Sequence, residues 1–167
     1  MKTTKPKHYI NNTDLLKAVI DYQKLVKKHE KAGTIPPPPP DYIGKCILQI
    51  CTRLSTRYNF CDYSYRDLFV GEAIERCSMA LKTFNVNKTD KAFNYFSMVA
   101  YRAMQKVINT EKHQNYIRHK YFASTHTNTG NLDAPVHDSC DDEYTFRIIK
   151  EYEEKLADKK NKEGPKK

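Results

Sequence analysis

The sequence predicts an all-α protein, a small helical bundle, on three observations. Apolar residues recur at helical rather than alternating spacing, no strand–helix–strand rhythm runs through the chain, and capping residues or breakers stand where the apolar stripes begin and end. The cleanest stripe is Ile43, Cys46, Ile47, Ile50, Cys51 and Leu54, at i, i+3, i+4, i+7, i+8 and i+11. The chain has 167 residues, of which 39% are hydrophobic and 29% charged, enough for one modest core with polar flanks and too little for a large multidomain enzyme. No internal repeat at solenoid spacing is present.

Each helix has its own signals. Asn11, Asn12, Thr13 and Asp14 form a start signal, Leu15, Leu16, Val19, Ile20 and Val26 follow at near-helical spacing, and Gly33 offers a stop. Pro36 to Pro40 cannot donate backbone hydrogen bonds and predict a short extended rod that spaces this first helix from the second. The second helix is expected over Asp41 to Arg57, followed by an aromatic connector from Tyr58 to Ser64. Phe69, Val70, Ala73, Ile74, Cys77, Leu81 and Phe84 mark the third helix. Asn85 to Asp90 reads as a polar loop, with Asp90 the candidate N-cap of a fourth helix over Lys91 to Phe122. On that helix Phe93, Phe96, Val99, Ala100, Ala103, Met104, Val107 and Ile108 share one face. Ala123 to Cys140, rich in Ser, Thr, Asn and Asp, reads as a loop, and Ser139 with Asp142 caps a last helix carrying Tyr144, Ile148, Ile149, Tyr152 and Leu156. The expected organisation is residues 1–40 for the first helix and proline linker, 41–122 for the helical core, and 123–167 for a polar loop, short helix and basic tail. Helices two, three and four are expected to build the core.

Charge narrows the function. With 29 Lys and Arg against 20 Asp and Glu, the formal net charge is +9, which favours an anionic partner such as nucleic acid. No apolar run approaches the roughly 20 residues of a membrane span, and the N-terminus carries charges where a signal peptide needs its hydrophobic run, so a soluble, unexported, non-membrane protein is expected. Five cysteines without C-x-x-C spacing fit a reducing cytoplasm better than a disulfide framework, and those on helices two and three occupy core positions. The densest polar cluster is Asp133, His137, Asp138, Asp141, Asp142 and Glu143. It has the chemistry of a metal site, but its plainer reading is an acidic lead into a helix N-terminus. Phosphate-cradling glycine motifs are absent, and no catalytic constellation is found, so the expectation is a non-enzyme without cofactor or metal.

The fourth helix is the most informative segment. Between Ala92 and Phe122 the bases Arg102, Lys106, Lys112, Arg118 and Lys120 face a single acid, Glu111, and Tyr95 and Tyr101 stand among them off the apolar stripe. Aromatic rings beside cations suit unpaired DNA, because a base that leaves the duplex regains about 1–3 kcal/mol by stacking on a ring while Lys and Arg neutralise phosphates.

The order of these segments resembles a known family. The opening H-Y-I-N-N-T-D-L-L-K-A-V-I-D-Y, the connector L-S-T-R-Y-N-F, the helix A-I-E-R-C-S-M-A-L-K-T-F-N and the helix Y-F-S-M-V-A-Y-R-A-M-Q-K-V-I-N-T-E-K together resemble the late-gene sigma factors of T-even-type bacteriophages. Residues 43–122 resemble region 2 of bacterial sigma factors. The resemblance implies that the third helix docks on the clamp-helix coiled coil of the RNA polymerase β′ subunit, with Gly71, Glu72, Glu75 and Ser78 facing the polymerase. It implies that the fourth helix melts and reads a promoter −10 element, with Tyr95, Phe96, Tyr101, Arg102, Gln105, Lys106, Asn109 and Lys112 toward DNA. Phe96 stands where the family inserts an aromatic against the first flipped adenine, which competes with its place on the apolar stripe.

Departures qualify what is carried over. Val99 and Ala100 replace the tryptophan pair of housekeeping sigma factors, as in the phage relatives. No helix-turn-helix for a −35 element follows Phe122, so upstream recognition falls to another protein, in the relatives a co-activator and a replication sliding clamp. The tail ends G-P-K-K without the relatives' clamp-binding motif, which leaves Tyr144 to Ile149 beside an acidic run as the substitute. The resulting expectation is an initiation factor for phage late promoters in the cytoplasm of the infected bacterial host. The alternative is a basic helical DNA-binding adaptor that does not join polymerase, and a third reading is a metal-dependent nuclease built on the Asp133 to Glu143 cluster.

Overall fold

In the computed structural model, which describes residues 9–86, 91–128 and 139–162, five helices follow one another: α1 (Asn12–Lys31), α2 (Asp41–Ser55), α3 (Arg66–Thr83), α4 (Ala92–Asn128) and α5 (Ser139–Lys162). The all-α class is as the sequence predicts, and among the described residues no strand occurs. The chain divides into two compact units, 1–108 and 109–167, at a point within α4.

In the first unit, α1 begins where Asn11 accepts the backbone N–H of Thr13 at 3.1 Å. It ends in a Schellman arrangement: Gly33 adopts φ +67°, its N–H reaches the Glu30 carbonyl at 3.2 Å, and the Thr34 N–H reaches the His29 carbonyl at 3.0 Å. Glycine is suited to that left-handed backbone because it has no Cβ to clash. The proline strap that follows is held to α1 by the Tyr22 hydroxyl, which donates to the Pro37 carbonyl at 3.2 Å.

α1 is a full member of the core, a correction to the expectation that helices two to four build it alone. Leu15 and Val19 are completely buried, and Tyr22 and Val26 nearly so. The physical reason is a pair of polar clamps as well as the apolar stripe. Gln23 donates its side-chain amide to the carbonyls of Leu81 at 2.8 Å and Phe84 at 2.7 Å, satisfying the carbonyl-rich end of α3. Asn12 accepts the backbone N–H of Phe93 at 3.0 Å, satisfying an orphan donor in the first turn of α4. Asp90, the expected cap of that helix, lies outside the described residues.

The α2 stripe is buried throughout, from Ile43 to Leu54, and continues into the buried Ser55. Ser55 is satisfied on both sides: its hydroxyl donates to the Thr52 carbonyl at 2.8 Å and accepts from Arg66 Nε at 2.9 Å. That second bond joins the end of α2 to the start of α3. Phe60 and Tyr63 of the connector and Tyr65 at the start of α3 pack around Phe69 at ring separations of 5.8, 6.4 and 6.3 Å, while Tyr58 is exposed. From α4 the core takes Ala92, Phe96, Ala100, Ala103, Met104 and Ile108.

The second unit pairs the later part of α4 with α5. Contacts run from His113 with Tyr152 to His119 with Thr145, rising along one helix and falling along the other, so the two are antiparallel. The pairing is largely polar and aromatic: Tyr116 stacks on Tyr152 at 4.5 Å, and Thr145 is the one buried side chain among the described residues of α5. α4 continues six residues beyond its expected end at Phe122. The composition of the Ser and Thr run there predicts a loop, but the hydroxyls of Ser124 and Thr125 bond back to the Tyr121 carbonyl at 2.8 and 2.9 Å, as such side chains do within a helix. The remainder of the expected loop, 129–138, lies outside the described residues.

Phe96→Ala will open a cavity beside Phe84, Tyr95 and Cys77, and will lower the unfolding free energy by about 3–5 kcal/mol in a denaturant titration. A loss under about 1 kcal/mol would mean that the ring is not core.

Candidate nucleic-acid interface

The face of α4 in the first unit is set by its register. Ala92, Phe96, Ala100 and Met104 repeat every four residues and are all completely buried. Phe96 therefore cannot offer a ring to a nucleobase in this structure, which corrects the DNA-facing role that the resemblance implies for it. Its ring stacks on Phe84 at 5.8 Å and meets the edge of Tyr95 at 5.2 Å, while its carbonyl receives the Cys77 thiol at 3.5 Å.

Tyr95 and Tyr101, expected off the apolar stripe, are half-buried. Tyr95 leans on Phe84 at 4.9 Å. Tyr101 packs edge-on against Phe60 at 5.4 Å, and its hydroxyl accepts from the Gln105 amide at 3.0 Å. Arg102, Gln105 and Lys106 are exposed, with Asn94 and Met98 on the same outer face by the i, i+4 spacing.

At the N-terminal end of this face a surface hollow is lined by Tyr9, Ile10, Asn11, Asn12, Lys91, Phe93 and Asn94. Sequence reasoning missed it. The Tyr9 and Phe93 rings meet edge to face at 5.7 Å, and the Arg53 guanidinium lies 4.0 Å from the centre of the Tyr9 ring. Burial raises the Tyr9 hydroxyl above its ordinary pKa, against the pull of Arg53 and Arg57. Rings, side-chain amides and an ammonium group in one hollow match the edge, face and phosphate of a single nucleotide. The available signal was the Tyr9 to Asn12 run, which enters the resemblance but meets Phe93 only through the fold.

Asn109 and Lys112 belong to the second unit, where they line a groove with Asn115 and with Ile148, Glu151, Tyr152, Lys155, Leu156 and Asp158 of α5. In the same unit the Lys120 ammonium bonds the Tyr116 hydroxyl at 2.7 Å and Glu153 at 2.9 Å. These bonds raise the Lys120 pKa and hold the Glu153 carboxyl below its ordinary value, the Lys120 bond first and the Tyr116 bond second.

On α3, Gly71, Glu75 and Ser78 are exposed and Glu72 is half-buried. Glu72 accepts from Arg76 at 2.8 Å, and the Ser78 hydroxyl turns back to the Ile74 carbonyl at 2.9 Å. Leu68 and Met79 flank them, each 54% exposed, so this outer face combines carboxylates with two large apolar side chains. Sequence reasoning did not single these two out. They lie off the core stripe, which was the signal for their exposure.

No three His, Cys, Asp or Glu side chains among the described residues converge to hold a metal ion. Of the expected acidic cluster, the side chains of Asp133 to Asp142 lie outside the described residues. Cys46, Cys51 and Cys77 are buried free thiols, as the helical stripes imply, and Cys61 is exposed. Hydrogen bonding with Cys51, followed by burial, raises the Cys77 thiol, which stays protonated and unreactive. No described helix is long and apolar enough to cross a membrane. No family model matches the chain, and no curated protein matches it either.

Acidification will loosen α5. Because the Glu153 carboxyl is held low, its contacts stabilise the fold fully above the ordinary Glu value of about 4.3 and are lost as pH falls through the folded value. Near-ultraviolet circular dichroism of the stacked Tyr116–Tyr152 pair will weaken as pH falls below the ordinary Glu value of about 4.3, and Glu153→Gln will remove that dependence.

Proposed function

We propose that this chain is a sigma-like transcription initiation factor for phage late promoters, acting with the host RNA polymerase core in the infected cell. The observation that carries the reading is the outer face of α4: Asn94, Met98, Arg102, Gln105 and Lys106 exposed in line, beginning at a hollow walled by Tyr9 and Phe93. Residues 94 and 106 are about 18 Å apart along a helix rising 1.5 Å per residue, a span that several nucleotides of an unpaired strand cover. The ordered resemblance of the segments supports the same reading.

In this reading α3 binds the β′ coiled coil through Gly71, Glu72, Glu75 and Ser78, with Leu68 and Met79 adding apolar area. Arg102 and Lys106 neutralise phosphates of the −10 region. The base that leaves the duplex enters the hollow, where Phe93 and Tyr9 replace the stacking it loses, rather than resting on Phe96. The chain performs no chemistry itself and lends promoter choice to the polymerase. Its partners are the polymerase core and A·T-rich −10 DNA, with a co-activator and the sliding clamp as candidates for the upstream role.

The burial of Phe96 also suits the second reading, a basic helical adaptor that binds duplex DNA without joining polymerase. Net charge alone carries that function, so it predicts binding that ignores promoter sequence and the β′ coiled coil.

Reconstitution with core polymerase on a supercoiled template bearing a TATA-like late −10 element will give open complexes, detected by permanganate reactivity of unpaired thymines. Phe93→Ala will reduce opening roughly five- to hundredfold, the worth of one stacked base, while polymerase binding changes less than about twofold. Lys106→Ala will weaken promoter binding modestly and lower the salt slope by about 1. Sequence-independent binding with no opening would favour the adaptor.

A further inference from the structure

The groove of the second unit sets two of the residues assigned to DNA, Asn109 and Lys112 of α4, opposite carboxylates of α5, Glu151 and Asp158. Further along α4, Glu153 holds the Lys120 ammonium at 2.9 Å, in an ion pair whose side chains are 58% and 48% exposed. These acids stand where phosphates would stand if a nucleic-acid backbone ran along this part of α4. Among the described residues α5 is held by the Lys120–Glu153 ion pair, a few hydrogen bonds and three ring contacts, Tyr152 with His113 and Tyr116 and Tyr144 with His119, with Thr145 its one buried side chain. Contacts of that kind contribute little singly and are screened by salt, so the helix is readily displaced.

We propose that α5 is an autoinhibitory cover, whose carboxylates occupy the anion-binding side of α4 until a nucleic-acid backbone displaces them. The proposal rests on the DNA-binding reading above and concerns the regulation of that same helix. Phosphates and the α5 carboxylates compete for Lys112 and Lys120, so binding DNA and docking α5 on α4 exclude each other over this stretch. A chain in which polymerase or promoter DNA has drawn α5 away then binds more tightly than the free chain. Stray duplex, which lacks the other contacts, is disfavoured.

The test compares the wild-type chain, a groove variant Glu153→Gln with Asp158→Asn, and a control variant Glu143→Gln with Glu154→Gln. Both variants remove the same charge; of the groove variant's acids Asp158 lines the groove and Glu153 bonds Lys120, whereas Glu143 and Glu154 do neither. Affinity for a fluorescent single-stranded oligonucleotide and for a duplex is measured by anisotropy at two salt concentrations, and amide exchange of α5 is followed with and without DNA. The groove variant is expected to bind roughly three- to tenfold more tightly than the control, the release of one or two screened ion pairs. DNA is expected to speed exchange along Ser139–Lys162 in the wild type. Equal affinity of groove and control variants, or α5 more protected with DNA bound, overturns the proposal. If polymerase-dependent opening persists in that case, the functional reading stands alone; if none of the three proteins binds DNA or opens a promoter, both fall.

Discussion

The Asn12 side chain accepts the Phe93 backbone N–H at 3.0 Å, and the shape of the first unit's candidate site follows from that bond. It satisfies a donor that the first turn of α4 cannot satisfy internally, and it brings the start of α1 against the start of α4. Tyr9 and Phe93 then meet edge to face, and the hollow between the two helix starts exists because of it. Gln23, about three turns further along α1, does the complementary work at the carbonyl end of α3. Two side-chain amides on one helix thus hold the ends of two others in place, while the buried stripe supplies most of the favourable free energy.

The aromatic residues divide by this packing. Phe60, Phe69, Phe84 and Phe96 are sealed, and Tyr63, Tyr65, Tyr95 and Tyr101 pack at their margin with part of each residue exposed. A ring on the core stripe contributes to stability in proportion to its burial, and the same burial denies it to a base. On α4 that competition goes to the core at Phe96, because Ala92, Ala100 and Met104 share its register and Phe84 fills the space beside it. In the first unit the exposed chemistry of α4 is consequently cationic and amidic with Met98 among it, and rings are supplied at its N-terminal end by residues far apart in sequence.

The second unit is organised on different physics. Few of its described side chains are buried, and its pairing depends on Tyr116, Tyr152, His113, Lys120 and Glu153. An apolar core changes little with pH or salt, whereas a pairing of this kind responds to both. The first unit is thus suited to fixed geometry and the second to regulation.

Periodicity and caps by themselves determined that the chain is all-α, where α2 and α3 run, that Gly33 stops α1, and that cysteines on α2 and α3 are core thiols, because those outcomes depend on local spacing and burial preference. Composition likewise determined the basic surface. Only the tertiary structure decided that α1 joins the core, that Phe96 is sealed, that Tyr9 meets Phe93, and that Asn109 and Lys112 face the acids of α5. Each of those depends on which helix lies against which, and spacing along a chain carries no information about a hydrogen bond between residues 81 positions apart.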